Sequence, residues 1–179
     1  LIPNFTVLEC GDATEVESVL AVADACAGPV YVRMLRGEVP QLFESPMEFG
    51  KVRVLSDSGD ILLVSSGICT EEALRARAAL EAKGVQLRHL HVSTLKPFND
   101  PLVLETCKRA TGIITVENHL TTGGLGTLLA ELLADHGLGK KLLRLGLNDR
   151  YAHGASKPYL LKKYGLDARG IIRAVETLM

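Results

Sequence analysis

Val116-Glu117-Asn118-His119-Leu120-Thr121-Thr122-Gly123-Gly124-Leu125-Gly126 joins an apolar strand to an apolar helix through a polar, glycine-bearing turn. In an open α/β sheet such turns sit at the carboxyl ends of strands, where ligands and partner subunits approach. Upstream, Gly112 releases the chain into the near-continuous apolar run Ile113 to Val116, the pattern of a strand buried on both faces and therefore central. Downstream, Gly124 to His136 is expected to form an apolar helix closed by Gly137.

Strand and helix alternate on both sides of this stretch. Phe5 to Glu9 reads as a buried strand, and Asp12 with Glu15 three residues on is a capping-box pattern opening a helix over 13–25. Gly28-Pro29 stops that helix and Val30-Tyr31-Val32 follows as a strand. Residues 1–33 thus form a β-α-β unit too small to bury both faces alone, and they are expected to lean on polypeptide outside the chain. Residues 34–50 lose periodicity and carry Gly37, Pro40, Pro46 and Gly50, a linker composition with a domain boundary near residue 45.

Beyond the linker, Lys51 to Leu55 and Ile61 to Ser66 flank Asp57-Ser58-Gly59-Asp60 and are predicted to form an antiparallel hairpin. Thr70 is expected to cap a helix ending at Lys83-Gly84, and Val85 to Val92 to be a strand. Asp100-Pro101 opens a short helix ending at Lys108-Arg109, and Leu142 to Leu145 is the last strand. Pro158 and Asp167 start two final helices. The architecture read from these elements is a three-layer α/β/α domain whose sheet is mostly parallel after an antiparallel first strand.

Composition narrows the function classes. The chain has 179 residues, 47% hydrophobic, with 20 basic and 21 acidic side chains interspersed. That excludes a disordered chain and leaves no electrostatic footprint for nucleic acid or an anionic membrane. No apolar run approaches the roughly 20 residues that span a bilayer. Cysteines 10, 26, 69 and 107 form no CxxC pair and lie in apolar segments, so they are expected to be reduced core thiols of a cytoplasmic protein. The chain begins at Leu1 without an initiator Met and is expected to be a cut or trimmed chain, or a larger protein whose earlier part is missing.

Few residues mark chemistry. Arg33 and Arg36 end the second strand beside Gly37, where a guanidinium suits a phosphate or carboxylate, with a solvated arginine or a structural ion pair as the plain alternative. Glu117, Asn118 and His119 could hold a catalytic acid, a proton-passing histidine or an anion at the next helix start, or could simply satisfy turn N–H groups at a subunit contact. GGLG is not a GxGxxG fingerprint. His89 and His91 alternate along one strand face with no Asp, Glu or Cys placed nearby, so ordinary half-buried histidines are expected rather than metal ligands. His153 and Lys157 bracket Gly154-Ala155-Ser156 and could contact a ligand or another domain, although a capped turn before Pro158 also explains the loop. No nucleophile elbow or P-loop is present.

Three segments, taken together, resemble the C-terminal half of transketolase-like, thiamine-diphosphate-dependent enzymes. Residues 28–37, GPVYVRMLRG, resemble the "GPVYIRLGRG" end of the pyrimidine-binding domain; residues 116–126 resemble "VEDHxxxGGLG"; residues 154–166, GASKPYLLKKYGL, resemble "SGTPEELLEKYGL". The resemblance implies a five-stranded mixed sheet whose first strand is antiparallel. It divides the chain into a remnant of the pyrimidine-binding domain (1–36), a linker (37–50) and a transketolase C-terminal-type domain (51–179).

The same resemblance implies a whole enzyme that moves a two-carbon ketol unit between sugar phosphates. Its thiamine diphosphate and Mg²⁺ would be held by upstream domains or a separate N-terminal subunit, in a homodimer or higher oligomer. Gly11-Asp12-Ala13 is not the family's GDG motif, so this chain alone is expected to bind no cofactor and no metal and to be inactive. Arg36 carries over as the arginine that binds the substrate phosphate, while no catalytic residue carries over. Glu117 and His119 match family letters as turn or interface residues. Asn118 stands where Asp is usual, and Thr121-Thr122 also departs from the pattern. A 2-oxo acid dehydrogenase β subunit or a deoxyxylulose-phosphate synthase is an alternative, which GASKP and KKYGL disfavour. A non-catalytic dimerisation or anion-binding regulatory module is the alternative from another class.

Overall fold

The computed structural model describes residues 2–179, which build two sheets. Strand β1 (Thr6–Glu9) leads to Asp12, whose carboxylate accepts the Glu15 N–H and opens helix α1 (Ala13–Asp24). The chain returns as β2 (Val30–Arg33), parallel to β1. Glu15 does not complete a capping box on Asp12. Its carboxylate accepts the Gly11 N–H at 2.8 Å and turns inward. Residues 34–50 contain no helix or strand, yet they are tied down: Asp12 accepts the N–H groups of Leu42 and Phe43, both at 2.9 Å.

Strands β3 (Val52–Asp57) and β4 (Ile61–Ser65) follow, but they are not the expected hairpin. After helix α2 (Cys69–Glu81), strand β5 (Leu87–Val92) inserts between them, antiparallel to β3 and parallel to β4. The turn between β3 and β4 therefore passes beneath the start of β5 instead of closing on itself. Gly59 makes that passage possible. Its φ is +97° and a Cβ there would lie 2.1 Å from the Gln86 carbonyl oxygen. The glycine-bearing turn that suggests a hairpin is thus a site of close backbone approach.

A short strand absent from the sequence reading, β6 (Thr94–Lys96), leaves the large sheet and pairs antiparallel with β1. The small sheet has order β2-β1-β6, so the N-terminal β-α-β unit leans on a strand of this same chain. Helix α3 (Pro101–Arg109) is capped by Asp100, which accepts from Leu102 N and also from Val52 N at the start of β3. Then come β7 (Gly112–Leu120), α4 (Leu125–Asp135), β8 (Lys141–Leu147), α5 (Lys157–Lys163) and α6 (Ala168–Leu178). The large sheet has order β3-β5-β4-β7-β8, mixed, with β3 antiparallel as expected.

Burial along β4 fixes the three layers. Ile61 and Leu63 face one core with Cys69, Ala73 and Leu80 of α2, Leu161 of α5 and Ile171 and Val175 of α6. Leu62 and Val64 face the opposite core with Val103 and Cys107 of α3 and Leu125, Leu129 and Leu133 of α4. A strand buried on both faces is the mark of a sheet interior, and each such leucine contributes roughly 2 kcal/mol of hydrophobic stabilisation. The small sheet packs α1 through Leu8, Cys10, Val19 and Met47.

Two further expectations are corrected. Thr70 lies inside α2, after an N-cap at Ile68 that makes no side-chain cap bond, because its hydroxyl is engaged by Ser65 and His91 instead. Helix α5 begins at Lys157, one residue before Pro158, and Ser156 makes no side-chain cap bond. Gly59→Ala is expected to lose about 2 kcal/mol of folding stability through backbone strain and the clash with Gln86, measured by urea denaturation.

Candidate functional site

β7 is longer than its apolar run. It continues through Glu117, Asn118, His119 and Leu120, with an irregularity in its pairing to β8 between Val116 and Leu120. The three polar residues expected in a turn are therefore strand residues with separate jobs. Glu117 is buried, and its carboxylate accepts the N–H groups of Leu125 at 2.7 Å and Gly126 at 2.8 Å. It occupies the N-terminus of α4, satisfying free donors and complementing the helix dipole. Gly124 permits this closeness, since a Cβ would lie 1.9 Å from Glu117 Oε2. Burial pushes the Glu117 carboxyl above its ordinary pKa, against the pull of the Gly126 and Leu125 N–H groups. The helix start is thus filled by the chain's own carboxylate.

Asn118 faces the other way. Arg33, at the end of β2, donates from Nη1 to Asn118 Oδ1 and from Nη2 to the Asn118 carbonyl, both at 2.9 Å. The same Nη1 bonds the buried carboxylate of Glu9 on β1. Arg33 is accordingly a structural ion pair that ties β1, β2 and β7 together. Arg36 differs: it is exposed, and it takes part in none of the side-chain hydrogen bonds or ion pairs found among the described residues. It lines a cleft of ≈ 480 Å³ with Leu35, Ile68, Asn118, Lys157 and Tyr164. Lys157 Nζ stands 3.2 Å from Glu71 Oε2 in that wall.

His119 is exposed, with Nδ1 3.2 Å from the Leu120 carbonyl oxygen, and borders a second cleft of ≈ 430 Å³ with Tyr31, Arg33 and Phe98. His153 lies outside both clefts. Its ring meets Tyr159 edge-on at 5.7 Å, and its Nδ1 is 3.4 Å from Lys163 Nζ. Arg36 and Asn118 therefore share one cleft, His119 and Glu117 the other, and His153 neither.

Sequence reading missed a buried polar network. His89 and His91 are fully buried, not half-buried. His91 Nε2 is 3.0 Å from Glu15 Oε2, and Ser93 Oγ donates to Glu15 Oε1 at 2.5 Å. His91 Nδ1 is 2.7 Å from Thr70 Oγ1, which is 2.9 Å from Ser65 Oγ, itself 2.9 Å from His89 Nε2. The acidic partner absent from the local sequence comes from α1. Burial would raise the Glu15 carboxyl, but the charge and hydrogen bond of His91, with Ser93 and the Gly11 N–H, hold it below its usual value. Burial, with His91 and Arg77 adding repulsion, lowers His89 to about 3. The single available signal was a Glu in the first turn of α1, read as a helix cap.

This is a mixed five-stranded α/β/α domain with a small companion sheet, joined by a buried carboxylate–histidine network and presenting a free arginine at their junction. The family model for the transketolase C-terminal domain matches residues 50–171, and the chain belongs to that family. It is 35% identical over 97% of its length to a Methanocaldococcus jannaschii protein provisionally described as a transketolase C-terminal section, covering 55% of that protein. It is 34% identical to a 6-deoxy-6-sulfo-D-fructose transketolase subunit of a Clostridium species, covering 97% of this chain and 54% of the relative. Against a 1-deoxy-D-xylulose-5-phosphate synthase of Syntrophotalea carbinolica it is 33% identical, covering 99% of this chain and 29% of the relative. A solved split-gene transketolase, an inactive beta4 tetramer, superposes with a TM-score of 0.90 at 33% identity, covering 99% of this chain and 58% of that one. The chain thus spans about half the length of its shorter relatives.

Glu117→Gln is expected to destabilise the protein by about 1–3 kcal/mol, because the amide presents hydrogens to one of the two α4 N–H groups; chemical denaturation reads the loss. His89 gives a pH dependence. Its folded pKa of about 3 lies below the ordinary 6.5, so its contribution is intact above pH 6.5 and drains as pH falls toward 3. The slope is on the order of 1 kcal/mol per pH unit. Urea titrations of wild type and His89→Gln from pH 4 to 7 should show a shallower acid loss in the variant.

Proposed function

We propose that this chain is the C-terminal part of a transketolase-type transferase that moves a two-carbon ketol unit between sugar phosphates. Residues 1–36 are assigned to the end of a pyrimidine-binding domain, 37–50 to a linker, and 51–179 to the C-terminal domain. The observation that carries the reading is Arg36, uncommitted to any partner and facing a cleft, beside Arg33, which is fully committed to structure. A free guanidinium next to a locked one suits the anionic end of a substrate, which it can bind bidentately. Glu117, His119 and His153 are assigned to capping of α4, cleft border and surface packing without a chemical step.

The cofactor proposed for the whole enzyme is thiamine diphosphate with Mg²⁺, which would supply the electron sink for carbon–carbon bond cleavage. The residues described here do not fit its metal: among them no group of three or more His, Cys, Asp or Glu is arranged to hold an ion. We assign that site to upstream domains or a separate N-terminal subunit, in a homodimer or higher assembly. This chain's share is to place Arg36 and to support assembly. No described helix is long and apolar enough to cross a membrane, and the four free cysteines suit the cytoplasmic location assigned here.

A deoxyxylulose-phosphate synthase is the second reading, favoured by the 33% identity to such an enzyme along nearly the whole chain. Assaying the complete assembly with thiamine diphosphate and Mg²⁺ separates the two. Ketose-to-aldose transfer supports the first, condensation of pyruvate with a triose phosphate with release of CO2 the second, and tight cofactor binding by this chain alone contradicts both. Arg36→Ala in the assembly is expected to raise KM for phosphorylated substrates, losing roughly 1.5–3 kcal/mol of charge-assisted bonding; unchanged steady-state kinetics would remove Arg36 from the site.

A further inference from the structure

Arg36 lies midway along residues 34–39, a span with neither helix nor strand. What fixes it must act at the ends. At the far end the Pro40 carbonyl accepts the Ala13 N–H at 3.0 Å. At the near end the Arg33 carbonyl accepts the Cys10 N–H at 3.0 Å, and the Arg33 guanidinium grips Asn118 twice and Glu9 once. Asn118 is itself held in β7, next to the Glu117 carboxylate that locks α4.

We propose that Arg33 and Asn118 are positioning residues that aim Arg36 at the substrate's anionic end, an inference that rests on the ketol-transfer reading above. Two bonds from one planar guanidinium to the side-chain oxygen and main-chain carbonyl of one asparagine fix both the distance and the plane of the contact. The end of β2 is thereby referenced to the central region of the large sheet, and the span carrying Arg36 starts from a fixed point. A lysine ammonium could not reproduce the fork. Asn118 and Arg36 also line the same cleft, with Leu35 and Ile68, so movement at the clamp changes the cleft wall directly. Glu9 balances the guanidinium's charge, and a Cβ on Gly67 would meet its Oε1 at 2.6 Å, so Glu9 too is confined.

The test uses the complete enzyme, this chain assembled with its N-terminal polypeptide, carrying Asn118→Ala or Arg33→Lys. KM for sugar phosphates should rise on the order of tenfold while kcat falls less than about twofold, since the arginine is present but misplaced. An unphosphorylated acceptor should show no such rise, and Asn118→Asp, which keeps the acceptor oxygens, should recover much of the loss. Hydrogen exchange in the same assembly supplies a readout independent of turnover. The amides of Cys10 and Ala13, which bond the Arg33 and Pro40 carbonyls at the two ends of the span, should exchange faster in Asn118→Ala while those of β4 and β7 keep their protection. Unaltered exchange at Cys10 and Ala13, an unchanged KM for phosphorylated substrates, or an equal loss on charged and neutral substrates overturns the proposal. Absence of ketol transfer in the wild-type assembly would sink the functional reading instead, with the exchange result still deciding whether the clamp orders the span.

Discussion

The Glu15 carboxylate has no exposed surface, and the arrangement of the two sheets depends on it. A buried charge is expensive unless its partners replace the water it lost. Here they do: His91 and Ser93 from the large sheet's side, the Gly11 N–H from its own loop, and Arg53 Nη2 at 3.7 Å. Because these partners come from different elements, the carboxylate is satisfied in one relative placement of α1 and β5. Apolar packing between small faces tolerates sliding. A buried carboxylate with its donors in place does not.

That placement brings the carboxyl ends of β2 and β7 together, and β7 divides its polar residues between the two sides. Glu117 turns toward α4 and Asn118 toward Arg33, following the alternation of a strand. Two carboxylates, Glu9 and Glu117, are thereby kept near the junction, each with its own donors, and the Glu9 charge adds to the burial that raises the Glu117 carboxyl. The free cation of Arg36 is what remains outward. Order at the junction comes from committed polar pairs, which leave the Arg36 guanidinium facing the cleft.

How much of this was legible in the sequence follows from the range of each interaction. Asp12, Asp100 and Asp167 each cap a helix as their spacing says, because a cap is an interaction over two or three residues. The central apolar run of β7 and the antiparallel first strand are also where periodicity or resemblance places them. The hairpin between β3 and β4 failed because its turn residues serve a neighbouring strand, which local turn chemistry cannot reveal. β6 went unread because a strand of three residues, Thr94 to Lys96, carries too little alternation. The His91–Glu15 contact spans 76 positions, so no window contains both partners. Arg33 and Arg36 look alike in sequence; the positions of Glu9 and Asn118 make one structural and leave the other free.

The thiols show what this burial does to reactivity. Burial raises Cys10 to about 12 and Cys107 to about 11, nearby carboxylates adding to the first, and it pushes Cys69 higher still. Since the thiolate is the nucleophile, these three are chemically quiet at neutral pH and resist air oxidation and alkylation. Cys26, half-buried just beyond the end of α1, is the thiol left within reach of a reagent. A maleimide dye would therefore mark this chain at one place, on the small-sheet side, giving a native anchor for distance measurements.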